Sequence, residues 1–113
     1  MKLRTTVLRT ACLLAVWVSC AAQAADAVKP GDAQAARDKI SMCIGCHGIA
    51  DYKTAFPEVY RVPMIAGQNA KYIENALNEY KKGDRSHPTM DAVAGSLSDQ
   101  DIADIAAYYS NLK

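Results

Sequence analysis

With 113 residues, half of them hydrophobic and 22% charged, the chain is long enough for one domain and too short for two of ordinary size. A formal charge of +1 and the lack of any long block of like charge exclude nucleic acid as a partner, since backbone phosphates demand a clustered basic face.

Taken in order, Lys2, Arg4 and Arg9 precede an apolar run over 11–18, and Ala22-Gln23-Ala24 follows it. That is the pattern of a secretory signal peptide, assigned to residues 1–24 and leaving a domain over 25–113. The run is short for a membrane span, so an uncleaved anchor is the weaker reading. Lipidation at Cys20 is weaker still, because Trp17 is bulky where lipoprotein signals carry an aliphatic residue. Cleavage removes three of the 13 basic residues and none of the 12 acidic ones, for a net charge of −2. It also removes Trp17, Cys12 and Cys20 and leaves only Cys43 and Cys46, which suits an oxidising, periplasmic compartment.

The spacing predicts a first helix after Pro30-Gly31-Asp32, with Asp32 as N-cap and Ala33, Ala36, Ile40 and Cys43 on one face. It runs into Cys43-Ile44-Gly45-Cys46-His47, a C-x-x-C-H haem-attachment motif. Two cysteines three apart lie one helical turn from each other, so both thiols can reach the vinyl groups of one porphyrin as thioethers. His47, four residues after Cys43, lies on the same face and is the expected iron ligand. A redox dithiol would want strands feeding a helix, and no strand-period run is present. Zinc would need four ligands, and after the motif His87 is the only other strong candidate.

A long loop over 48–67 follows, with Pro57, Pro63 and the large side chains Tyr52, Phe56, Val59 and Tyr60; the haem edge is the surface it is expected to cover. A second helix is predicted over about 69–82, its apolar side formed by Tyr72, Ile73, Ala76, Leu77 and Tyr80, with Gly83 as C-cap. An irregular stretch, Arg85-Ser86-His87-Pro88-Thr89-Met90, comes next. Ser98 and Asp101 cap a third helix that carries Ile102, Ile105, Ala106, Tyr109 and Leu112 on one face. So small a core gains much of its buried area from the cofactor, and the fold is expected to depend on it.

The sixth iron ligand decides function, because histidine alone leaves an open site and histidine with a thioether closes it. Met42 adjoins Cys43 and cannot reach the far face of the porphyrin. Met90, in a proline-containing segment between helices, is favoured, with Met64 and His87 as alternatives.

The chain resembles the bacterial class I c-type cytochromes, most of all a single-haem domain of the di-haem periplasmic cytochromes. The resemblance rests on the haem motif with Gly48, on Pro63-Met64-Ile65-Ala66-Gly67-Gln68, Gly83-Asp84-Arg85 and Met90, and on Leu97-Ser98-Asp99-Gln100-Asp101-Ile102 through Ala106-Ala107-Tyr108-Tyr109. It implies an all-α fold of three main helices and loops wrapped around one covalent haem c. It also implies thioethers at Cys43 and Cys46, His47 and Met90 on the iron, and the Pro63 carbonyl accepting the His47 imidazole N–H. First and last helices would cross near Ala36, Ile40 and Ile105. Met64 stands where relatives carry leucine or another residue, and the domain has no tryptophan to bond a propionate; Arg61, Arg85 or a tyrosine is expected to replace it.

The function so implied is periplasmic electron transfer by a carrier that is not an enzyme and docks transiently on other redox proteins. A haem subunit held stably by a periplasmic or membrane redox enzyme is the alternative, with membrane association arising through such a partner or an uncleaved anchor.

Overall fold

The computed structural model describes residues 27–55 and 57–113; the expected signal peptide and Phe56 lie outside them. The elements in chain order are a short 3-10 turn at Ala35–Asp38, helix α1 at Ser41–His47, strands β1 (Lys53–Thr54) and β2 (Tyr60–Arg61), and helices α2 (Ala70–Lys82), α3 (Pro88–Gly95) and α4 (Asp99–Ser110). Helices carry the fold as expected, with two additions that periodicity did not reveal.

The first addition is α3. Residues 88–90, read from sequence as irregular, form its first turn: Pro88 occupies the opening position, where a missing N–H costs nothing and a fixed φ suits the helix. Asp91 reinforces the start, its Oδ1 accepting the His87 backbone N–H at 3.0 Å. The second is a two-residue antiparallel ladder in the loop, Lys53 opposite Arg61 and Thr54 opposite Tyr60. Strands of two residues are too short to carry a readable alternation.

The predicted first helix is also divided. Bonds from Arg37 N–H to the Gln34 carbonyl and from Lys39 N–H to the Ala36 carbonyl span three residues instead of four, so the segment tightens before α1 begins. Asp32 is not its N-cap, a position that Gln34 holds; Asp32 lies two residues earlier, its Oδ1 accepting the Gln34 N–H at 2.8 Å. Lys39 at the junction pairs with Asp101 of α4.

Helix α2 starts and stops as read. Asn69 accepts the Tyr72 N–H, and Gly83 at φ 85° turns the chain left-handed, a conformation that opposes any side chain with a Cβ. Helix α4 opens on a complete capping box, Ser98 and Asp101 each satisfying the other's backbone N–H. Leu112 lies beyond its end yet still packs on the core.

The core is one cluster. Ile102, Ile105, Ala106 and Tyr109 of α4 meet Ile73 and Leu77 of α2, Ala94 of α3, Ala36 of the 3-10 turn and Cys43 of α1. The expected crossing of first and last helices holds in outline, since Ala36 and Ile105 are both buried and Ile40 packs against them. The chain also approaches α4 tightly earlier, at Gly31, where a Cβ would collide with the Ala103 carbonyl oxygen. Asp104 secures that contact: buried on α4, its Oδ1 accepts the Asp32 N–H at 2.8 Å and Gln100 Nε2–H at 2.9 Å. A carboxylate so placed is a satisfied structural group, tying the amino-terminal segment to the last helix.

Candidate functional site

Helix α1 is barely two turns long, which is enough to bring Cys43, Cys46 and His47 to one side. Cys43 is buried and Cys46 half-buried, and neither forms a disulfide. His47 lies half-buried at the carboxyl end of α1, and Pro63 crosses near it in the loop. The His47 Nδ1 to Pro63 carbonyl distance is 2.7 Å. A carbonyl can only accept, so Nδ1 carries the proton and Nε2 keeps its lone pair for a metal. Such a bond fixes the ring and strengthens the nitrogen as a ligand.

These residues border a cavity of about 550 Å³, a volume in the range of cofactor pockets. Its walls come from α1, the loop and all three later helices. Pro63, Met64 and Ile65 follow from the loop, Tyr72, Ile73 and Leu77 from α2, Met90 and Val93 from α3, and Leu97 and Ile105 close the back. Two thiols, an imidazole with a free ring nitrogen and a thioether around a largely apolar space are the donor set of a covalently held haem. The residues present fit that group.

Other uses of the thiols fit less well. Burial pushes the Cys43 thiol pKa up, partly offset by the Tyr109 hydroxyl, whereas a reactive dithiol needs a lowered one. Burial also raises the Tyr109 phenol, with Cys43 adding to the effect. Among the described residues no three His, Cys, Asp or Glu side chains converge as a metal set, which removes support for zinc.

The sixth-ligand candidates Met64, His87 and Met90 all border the cavity, as does Met42. They differ in setting. Met90 sits half-buried in the first turn of α3 and packs on the core, while Met64 and Met42 are 51% and 46% exposed. Met64 also follows Pro63 directly, on the stretch that holds His47. His87 caps α3 and its ring lies 6.4 Å from that of Tyr60.

The two arginines part company. Arg61 Nη1 pairs with Asp51 at 2.7 Å, with both side chains exposed, and Arg61 does not border the cavity. Arg85 does border it, held by Glu79 at 2.6 Å and lying 5.7 Å from the ring centres of both Tyr72 and Tyr80. Sequence reasoning took those tyrosines only as an apolar helix face. Their separation by eight residues, two turns with a small offset, was the signal that they could embrace one group. In the loop, Tyr60 borders the cavity and Val59 is 74% exposed, so the loop covers the site only in part.

Comparison with known proteins gives the family. The family model for cytochrome c matches residues 29–113. Cytochrome c-554(548) of Halomonas halodenitrificans is 45% identical over 84 residues, covering 72% of this chain and 96% of that protein. Cytochrome c4 of Pseudomonas aeruginosa is 40% identical over 83 residues, covering 74% of this chain but 39% of its own length. A Stutzerimonas stutzeri protein named thiosulfate dehydrogenase electron acceptor is 33% identical over 93 residues, 82% of this chain and 42% of its own length. The chain thus spans about two fifths of these last two relatives. From the family model over most of the chain and the haem motif at its centre, the chain belongs to the cytochrome c family, as an electron-transfer protein with one covalently bound haem c.

Proposed function

We propose that this cytochrome is a periplasmic single-electron shuttle, not an enzyme, with His47 and Met90 as its axial iron ligands and Cys43 and Cys46 as its thioethers. The haem supplies a one-electron ferrous–ferric couple. The observation that carries the ligand assignment is the separate origin of the two walls. Pro63 binds the His47 ring from the loop, which commits Met64 to that same stretch, whereas α3 brings Met90 in from another part of the fold. With both axial positions taken by protein side chains, no open position is left for substrate or gas.

The rim supports brief docking. Met42, Tyr60, Met64 and Tyr72 border the cavity and are each about half exposed, at 46, 55, 51 and 50%. They offer a small uncharged surface, which suits an encounter that must dissociate after each electron. Lys81, a candidate docking charge by position, is already engaged: its Nζ–H donates to the Leu97 carbonyl at 2.8 Å and to Asp99 Oδ1 at 2.9 Å. A dehydrogenase on the donor side agrees with the name of the Stutzerimonas relative. The expected leader over 1–24 supports export, and no helix among the described residues is long and apolar enough to cross a membrane.

The test is a spectroelectrochemical titration of protein purified from the periplasmic fraction. A reversible one-electron wave, haem retained through acid–acetone extraction, and a mature chain starting at Ala25 are expected. Haem that extracts freely, or rapid carbon monoxide binding by the resting ferrous protein, would overturn the closed-carrier reading. Co-purification with a dehydrogenase through high salt would replace the shuttle by a bound haem subunit.

A further inference from the structure

We propose that Arg85 takes one propionate carboxylate of the haem through its Nη groups, with Glu79 as its positioning residue; the inference rests on the haem site proposed above. Haem c brings two carboxylates to a cavity whose walls are largely apolar, and a guanidinium on those walls, its side chain 39% exposed, is a matching charge for one of them. Among the described residues, Arg85 is the single lysine or arginine on those walls. Glu58, which also borders the cavity, has the wrong sign.

The guanidinium is held in place before any ligand arrives. Gly83 ends α2 in a left-handed turn, and this returns the chain so that the Arg85 N–H donates to the Glu79 carbonyl at 3.2 Å. The same residue then takes the Arg85 side chain, Nε–H donating to Glu79 Oε2 at 2.6 Å. Tyr72 and Tyr80, both on the cavity wall, lie 5.7 Å from the guanidinium carbon. Backbone, carboxylate and rings thereby restrain a side chain that would otherwise lose much rotamer freedom on binding.

Its chemistry suits a second acid. Five N–H donors lie in one planar fork, and Glu79 uses the one on Nε. The four on Nη1 and Nη2 match the two oxygens of another carboxylate. A lysine at this position could supply the charge but not the fork. Because the positive charge then sits at the cofactor's edge, it favours the ferrous over the ferric state.

The test uses holoprotein with carbon-13 in the haem propionate carboxyls, read by redox-triggered infrared difference spectroscopy. Arg85→Gln should shift a propionate band and lower the reduction potential. Arg85→Lys should recover most of the potential but not the band. Glu79→Gln, which frees the guanidinium without removing it, should broaden the band; Arg61→Gln, away from the cavity, should leave it unchanged. An unshifted band in Arg85→Gln, or an equal shift in Arg61→Gln, overturns the proposal. Should Arg85→Gln fail to mature, nuclear Overhauser contacts between the Arg85 side chain and propionate methylenes in the unaltered ferrous protein decide the matter, and their absence overturns it. The ferric thioether band is read in the same samples, so loss of the axial assignment and loss of the propionate contact are separate results.

Discussion

The wall of the cavity that carries His47 and the wall that carries Met90 are built by different means. On the His47 side the geometry is local: one helix of seven residues sets two thiols and an imidazole, and a single 2.7 Å bond from His47 Nδ1–H to the Pro63 carbonyl orients the ring. On the Met90 side nothing local suffices. Met90 is placed because α3 packs on α2, α2 packs on α4, and the junctions between them are capped. With the proposed ligands, one anchor is secured by covalent chemistry and the other by tertiary packing alone. Loss of stability should therefore show first as loss of the sixth ligand, with the proximal side still attached.

The largest effect expected is from breaking the secured side. Cys43→Ala together with Cys46→Ala removes both tethers, and acid–acetone should then extract all the haem. Because the cofactor completes a small core, circular dichroism of the extracted chain should show helix content well below that of the holoprotein.

Breaking the packed side should give a graded result. Ile105 is 1% exposed and lies behind the cavity, so Ile105→Ala should cost about 2–5 kcal/mol by leaving a void. In a urea titration of that variant, the ferric thioether band should vanish at a concentration where haem remains covalently bound and helix α1 still orients His47.

Helix caps sharpen the comparison with smaller losses. Ser98 accepts the Asp101 N–H at 3.1 Å at the start of α4, and Ser98→Ala should destabilise the holoprotein by about 1 kcal/mol in chemical denaturation. The potential should hardly move, since the proposed iron ligands lie on α1 and α3.

The smallest effect concerns pH. Lys81, by hydrogen bond and then by charge, holds the exposed Asp99 carboxyl below its ordinary pKa, and so links the end of α2 to the start of α4. A depressed folded-state pKa stabilises the fold above the unfolded value, about 3.9, and that contribution disappears as pH falls through the folded one. Asp99→Asn should thus flatten slightly the loss of stability below about pH 4, measured by melting temperature against pH, with an exposed pair giving only a slight change.

How much of this could be read from the residues follows the same division. The motif was legible because its chemistry fixes spacing along the chain, α2 because of its apolar side and Gly83, and α4 because Ser98 and Asp101 announce its start. The α3 helix was not, since its eight residues show no strong apolar side and its start is stabilised by Pro88 and by Asp91 reaching back to His87. The hairpin at Thr54 and Tyr60 escaped because it is two residues deep. Arg61 and Arg85 looked equivalent as sequence. Only the fold shows that Asp51 holds one away from the cavity while Glu79 and two tyrosines hold the other beside it.

The sixth ligand is tested most directly by near-infrared absorption of the ferric protein. Met90→Ala should abolish the weak thioether-to-iron band, lower the potential, and open the iron to cyanide, while Met64→Leu leaves all three nearly unchanged. Retention of the band in Met90→Ala, with its loss in Met64→Leu, would contradict the assignment of the packed wall as the source of the second ligand.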